Sequence, residues 1–93
     1  TMIIMNNNTE VSNKLKISLL SVEDDIVLRS VYENILSAFV EKIYVASDGM
    51  EGYEVYRENR PDIILTDIRM PVMNGLDMIR RVRKLDTDVR III

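Results

Sequence analysis

A short apolar run that stops before a single acid constrains the fold of this chain more than any other stretch. Residues 63–65 read Ile-Ile-Leu, follow Pro61 and end two residues before Asp67. A run rich in β-branched residues and without polar alternation is typical of a strand buried on both faces. Pro71 and Gly75 in the following loop restrict and free the backbone, respectively. Ligands gather where parallel strands end, so Asp67 is predicted to be a chemical rather than a structural residue.

Strand-like and helix-like segments alternate along the whole chain. Strands are predicted at residues 15–22, 43–46, 63–65 and 89–93, and helices at residues 26–39, 50–58 and 76–85. This alternation predicts an α/β fold with a doubly wound parallel sheet of flavodoxin-like strand order 2-1-3-4. Residues 1–13 lack a sustained period and are predicted to be an N-terminal tail, which leaves residues 14–93 as the domain.

Periodicity also predicts which side chains of the helices face inward. In the first helix one apolar face is predicted to hold Leu28, Val31, Tyr32, Ile35, Leu36 and Phe39. In the third helix the residues predicted to face inward are Leu76, Ile79, Val82 and Leu85. Asp25 is expected to cap the first helix, and the turn Ser47-Asp48-Gly49 to cap the second. The hydroxyls of Tyr53 and Tyr56 are expected to reach water, and the Arg80–Lys84 cluster to form a solvated helix face.

Composition excludes several classes of function. The chain has no histidine and no cysteine, which removes histidine-based catalysis, the common zinc sites and thiolate chemistry. The lack of cysteine also fits a reducing compartment such as the cytoplasm. A net charge of −3 argues against direct nucleic-acid binding, and no apolar run approaches the ~18 residues that span a membrane.

Three acids are predicted to meet at one edge of the sheet. Glu23 and Asp24 end the first predicted strand, and Asp67 follows the third, which is its neighbour in the predicted order. At about 4 Å and an effective dielectric near 20, each like-charge pair costs on the order of 4 kcal/mol. A bound cation offsets that repulsion, and Mg²⁺ favours such carboxylate oxygens. Aspartate is an established acceptor of phosphoryl groups, and Mg²⁺ assists such transfers.

These motifs together resemble the receiver domain of two-component response regulators. They are Val22-Glu23-Asp24-Asp25, Asp67, Met70-Pro71 and Asn74-Gly75, in the family's order and at its separations. The resemblance implies that Asp67 is the phosphoacceptor and that Glu23, Asp24, Asp67 and the main-chain carbonyl of Arg69 hold Mg²⁺. It also implies a bacterial, cytoplasmic switch, not a turnover enzyme, which a histidine kinase, a phosphotransfer protein or a small phosphodonor phosphorylates.

The same resemblance predicts that the domain is incomplete. The family carries a Ser or Thr at the end of its fourth strand and a Lys after its fifth, and the sequence stops at Ile93, short of both. Lys84 cannot replace that lysine because it falls on the third predicted helix. A fifth strand and two helices are also expected to be missing. A C-terminal output domain is an expected partner. A second copy of the chain is another, because the fourth strand would be left exposed at the edge of the sheet and could pair with its copy.

Three functions other than phosphoacceptance on Asp67 can be compared with the sequence. A phosphatase of the haloacid dehalogenase type places a second acid two residues after its nucleophile, where this chain has Arg69. Flavin binding is disfavoured because no phosphate-binding loop rich in Ser, Thr and Gly follows the first strand. A pseudo-receiver that works as an interaction module without phosphorylation remains the alternative.

Overall fold

The computed structural model describes residues 14–93, so the predicted tail at residues 1–13 lies outside the described residues. Four strands and three helices alternate: β1 (Leu15–Val22), α1 (Ile26–Leu36), β2 (Val40–Ala46), α2 (Gly49–Asn59), β3 (Ile63–Thr66), α3 (Gly75–Leu85) and β4 (Arg90–Ile92). Every predicted element is present, with differences at the ends.

The four strands form one parallel sheet of order β2-β1-β3-β4, as the alternation predicted. In β1, Leu20 pairs with Tyr44 of β2 on one side and with Ile64 of β3 on the other. Two hydrogen bonds join Asp62, just before β3, to Ser18 of β1. The Asp62 carboxylate accepts the Ser18 N–H at 2.8 Å, and the Asp62 N–H donates to the Ser18 carbonyl at 3.0 Å. This register fixes which residues reach the carboxyl edge of each strand.

Helices α2 and α3 cover one face of the sheet and enclose the core. The fully buried members of that core include Leu20 and Ile64 from the strands, Tyr56 from α2, and Met78 and Val82 from α3. Close helix packing explains Gly52 in the middle of α2. A Cβ there would lie 2.7 Å from the Met78 sulfur and 3.0 Å from Val22, so only glycine fits without a shift.

Helix α1 lies over the opposite face and is much less buried. Because side chains alternate along a strand, Ser21 and Leu65 point away from the core that Leu20 and Ile64 enter. Leu28 and Tyr32 of α1 line a cleft with them. No residue of α1 is buried, and on its predicted apolar face Leu28, Val31, Ile35 and Phe39 are 41–54% exposed.

The boundary between α1 and β2 also differs from the prediction. The helix ends at Leu36, where Phe39 N–H donates to the Leu36 carbonyl in a tightened last turn. The Phe39 carbonyl then accepts the Leu15 N–H at 2.8 Å, and Leu15 pairs with Val40. Strand β2 therefore begins at Val40, three residues before the predicted position, because Val40 pairs with Leu15 of β1. The helix ends at Leu36, three residues before its predicted end.

Two predictions about inward-facing side chains are corrected by the structure. Tyr56 is fully buried, and its hydroxyl donates to the Asp86 carboxylate at 2.7 Å instead of reaching water. Leu76 is 41% exposed, while Met78 and Val82 form the buried face of α3. Within residues 14–93, no helix is long and apolar enough to cross a membrane.

Candidate functional site

The ends of β1 and β3 bring three carboxylates together at the carboxyl edge of the sheet. Glu23, Asp24 and Asp67 each offer one oxygen within 4.8 Å of the other two. The Glu23 N–H donates to Ala46 of β2 at 3.0 Å, and the Asp67 N–H donates to Val22 of β1 at 3.3 Å. The predicted strand order makes β1 and β3 neighbours, and their register brings the three acids together.

Glu23 is the buried member of the cluster, only 6% exposed, whereas Asp24 and Asp67 are open to water. Burial raises the pKa of the Glu23 carboxyl, and the negative charges of Asp67 and Asp24 raise it further. The Asp25 N–H, which donates to Glu23 Oε2 at 3.1 Å, opposes that rise. A carboxyl desolvated beside two other acids favours either a proton or a cation.

The neighbouring polar groups hold the cluster without neutralising it. Arg29 donates to the main-chain carbonyl of Glu23 at 3.1 Å and not to its carboxylate. Asp25 caps α1 by accepting the N–H groups of Val27 at 2.9 Å and Leu28 at 3.0 Å, as predicted. The side chain of Asp25 therefore caps α1 and is not part of the acidic cluster.

Asp67 has one carboxylate oxygen fixed by its own loop. Its Oδ1 accepts the Ile68 N–H at 2.7 Å, and the Thr66 hydroxyl donates to its carbonyl at 2.8 Å. No hydrogen bond to Oδ2 occurs within the described residues. One oxygen of the acid is therefore oriented while the other is available to a ligand.

A tight backbone approach shapes the loop that follows Asp67. The Gly75 N–H donates to the Ile68 carbonyl at 2.8 Å, and a Cβ on Gly75 would lie 2.2 Å from the Asp67 carbonyl oxygen. The φ of Gly75 is not positive, so backbone conformation does not require glycine at this position. The close contact with the Asp67 carbonyl oxygen does, since it leaves no room for a Cβ. Asn74 caps α3 by accepting the Asp77 N–H at 2.9 Å. The Asn-Gly pair therefore closes the loop and starts the next helix.

Two open cavities flank the acids. One, of about 490 Å³, is lined by Asp24, Ile68, Arg69, Met70, Pro71 and Asn74. The other, of about 430 Å³, includes Glu23, Thr66 and Asp67 together with apolar side chains of α1 and the sheet. Arg69, predicted to offer its main-chain carbonyl to a metal, thus lies in the loop beside Asp24. The sequence did not predict Thr66 and Ile68 as neighbours that orient Asp67, because their roles depend on the loop's backbone path.

Comparison with known proteins gives a consistent family. The model of the response regulator receiver domain matches residues 19–93. Chemotaxis protein CheY of Thermotoga maritima is 38% identical over 76 residues, which cover 81% of this chain and 63% of that protein. Transcriptional regulatory protein AfsQ1 of Streptomyces coelicolor is 36% identical over 69 residues, 74% of this chain and 31% of that protein.

Solved structures agree with this result. The N-terminal domain of a Wolinella succinogenes protein superposes with a TM-score of 0.78 at 35% identity, covering 81% of this chain and 60% of that one. The chain spans less than two thirds of the length of each of these three relatives. With the sheet order predicted for that family and a family match over most of its length, the chain belongs to the response regulator receiver domains.

Proposed function

We propose that this chain is a phosphoacceptor switch that receives a phosphoryl group on Asp67 with the help of Mg²⁺. The observation that carries the proposal is the meeting of three carboxylates within 4.8 Å at the carboxyl edge of a parallel sheet. Membership of the receiver family supports the same role. The switch turns over no substrate of its own, since the phosphoryl group stays on the protein until it is lost by hydrolysis.

Asp67 is the proposed nucleophile because one of its oxygens is held and the other is free. The Ile68 N–H fixes Oδ1, so Oδ2 can face an incoming phosphorus atom. Attack forms an Oδ2–P bond as the bond from phosphorus to the donor breaks, and the donor leaves with that electron pair. The donor is a phosphohistidine on a histidine kinase or a phosphotransfer protein, or a small acyl phosphate.

The donor set of the cluster fits Mg²⁺, a hard cation that prefers oxygen ligands and binds through a few carboxylates. Glu23, Asp24 and Asp67 would supply carboxylate oxygens, and the main-chain carbonyl of Arg69 is the proposed fourth protein ligand. When bound, Mg²⁺ would offset the negative charge of the acids and of the phosphoryl group. The raised pKa of Glu23 supports this fit, because a desolvated acid in a cluster gains most from a cation.

The proposed partners follow from the same role. A histidine kinase or phosphotransfer protein is the donor, and a C-terminal output domain is the proposed receiver of the signal in a bacterial cytoplasmic pathway. AfsQ1 is a transcriptional regulator by name, and it is about three times as long as the matched segment. Two copies of this chain are also proposed to pair through β4, which has β3 as its only strand neighbour within residues 14–93.

Trapping the acyl phosphate tests the assignment of Asp67. The chain is incubated with acetyl phosphate and Mg²⁺, reduced with borohydride and mapped by mass spectrometry. We expect one modified residue, Asp67, and no modification in Asp67→Asn. Glu41→Gln, at an exposed acid on β2, is the control outside the cluster and should still be labelled at Asp67. Label on Glu23 or Asp24 would refute the assignment, and no label on a folded chain would favour a phosphorylation-independent interaction module.

A further inference from the structure

A groove on the side of α3 combines apolar and positively charged side chains, far from α1. We call it the basic groove; it has a volume of about 410 Å³ and is lined by Met50, Val72, Met73, Asp77, Arg80, Arg81 and Lys84. Its apolar end lies at the start of α2 and in the loop after β3, and its charged end follows α3. The phosphoacceptor proposal uses none of these side chains.

The charge of the groove is opposite to that of the chain. Three cations and one acid line it, although the whole chain carries a net charge of −3. Arg80 is paired with Asp77 at 2.8 Å, which uses the groove's single carboxylate. Among residues 14–93, neither Arg81 nor Lys84 forms an ion pair. Arg81 instead lies over the Tyr53 ring at 5.9 Å, which holds its guanidinium at the groove.

The apolar end of the groove presents Val72 in an unusual backbone conformation. The Met73 N–H donates to the Pro71 carbonyl at 2.7 Å, and Val72 at the tip of this turn has a φ of 68°. A positive φ is rare and strained for a β-branched residue, and glycine would adopt it freely. Yet Val72 is 78% exposed, so burial in the core does not explain its side chain. Strained backbone of this kind concentrates at functional sites and switch regions.

We propose that the basic groove binds an acidic segment of a protein partner that places one apolar side chain against Val72 and Met50. Unpaired cations at one end select carboxylates, and the exposed apolar pair at the other end selects an aliphatic or aromatic anchor. Nucleic acid is the poorer occupant, because Val72 and Met50 give the groove an exposed apolar end that a phosphate backbone does not fill.

A labelled synthetic peptide of Glu and Asp with one central Leu tests this proposal by fluorescence anisotropy against the full chain. Binding should weaken with added salt. The double variant Arg81→Glu/Lys84→Glu should weaken it about tenfold or more, since like charges would then face each other. Lys16→Glu, an exposed cation on β1, is the matched control and should bind as the unchanged chain does. A peptide with Ser in place of Leu should bind more weakly.

Val72→Gly separates recognition from structure. Val72→Gly should melt at a higher temperature, because the backbone strain at residue 72 is relieved. If Val72 contacts the partner, the same variant should also bind the peptide less well. A higher melting temperature with unchanged binding would overturn the role of Val72. Equal loss in Lys16→Glu and the groove variant, or no binding by the unchanged chain, would overturn the proposal as a whole. Tighter binding of single-stranded DNA, lost in Arg81→Glu/Lys84→Glu, would assign the groove to nucleic acid instead.

Discussion

Glu23 is the buried carboxylate of the acidic cluster, beside the exposed carboxylates of Asp24 and Asp67. Its place at the end of an apolar run predicted a carboxylate at the sheet edge, and the structure brings it to Asp24 and Asp67. Its burial was not predictable from the run itself, because an adjacent acid, Asp24, is exposed. Burial depends on which of two neighbouring side chains turns inward, and this is set by the register with β2 and β3.

Binding of Mg²⁺ to these acids should stabilise the folded chain. A ligand that binds only the native state contributes about 2.7 kcal/mol at a hundredfold excess over its Kd. We expect thermal melts to show a higher midpoint with Mg²⁺ and no such rise in Asp24→Ala. Glu41→Ala, an exposed acid on β2, is the control and should keep the full rise. The same midpoint with and without Mg²⁺ in the unchanged chain would contradict the metal site.

Glu51 gives a pH-dependent contribution to stability. It accepts the N–H and the hydroxyl of Ser47, both at 2.7 Å, and these bonds hold its pKa below the ordinary 4.5. Because the folded pKa is the lower one, the contribution is complete above 4.5 and is lost as the pH falls through the folded value.

Glu51→Gln should therefore lower the free energy of unfolding at pH 7, by less than about 1 kcal/mol because the site is exposed. Urea denaturation at stepwise lower pH should show this difference shrinking below pH 4.5. Glu58→Gln, on the exposed side of the same helix, serves for comparison. A difference that stays constant down to strongly acidic pH would mean that the Ser47 bonds are not the cause.

At the scale of elements, the period of apolar residues predicted each helix and strand, but long-range contacts decided their ends. Phe39 fits the helical period of α1, yet its carbonyl pairs with Leu15 and lies next to β2. Met78 was missed in α3, although it is fully buried against Gly52 of α2. The local sequence shows the period of apolar residues in a helix or strand. Which residues of another element it packs against is decided only when the elements come together.

The hydrogen bond from Tyr56 to Asp86 joins α2 to the end of α3. Tyr56→Phe removes the hydroxyl and should destabilise the fold by about 1 kcal/mol, the usual net value of one hydrogen bond. For a domain of this size, that is a fall of about 4–8 °C in Tm. Tyr53→Phe, at a half-buried position of the same helix, should change Tm much less. Equal effects of the two substitutions would show that the Asp86 bond contributes nothing specific.

Considered as a whole molecule, the fold was predictable because its topology follows from few rules. Alternating strands and helices allow few arrangements, and the order β2-β1-β3-β4 was the one expected. The exposure of α1 does not follow from its own pattern, since an amphipathic pattern states only that a face prefers burial. Leu28 and Val31, on the apolar face of α1, are each 41% exposed within residues 14–93.

The proposed pairing of two copies of residues 14–93 through β4 can be tested directly. Ile92 and Ile93 are 51% and 67% exposed, and an apolar outer strand attracts another strand. Light scattering at micromolar concentration should detect dimers, and Ile92→Lys should reduce them. Val27→Lys, on α1, is the comparison and should leave β4 pairing intact. A cooperatively folding monomer of the unchanged chain would exclude this interface.

The hydrogen bonds between Ser18 and Asp62 lie at the amino end of β3 and in the middle of β1. Strand β1 has eight residues and is about 26 Å long at ~3.3 Å per residue. Lys14 and Lys16 lie at the amino end of β1. Because ionic screening in 0.1 M salt acts over ~10 Å, most of the electrostatic field of these two lysines is lost before it reaches Asp67. The acceptor carboxylate therefore works in an electrostatic environment set by its own loops, whatever charge the amino end of β1 carries.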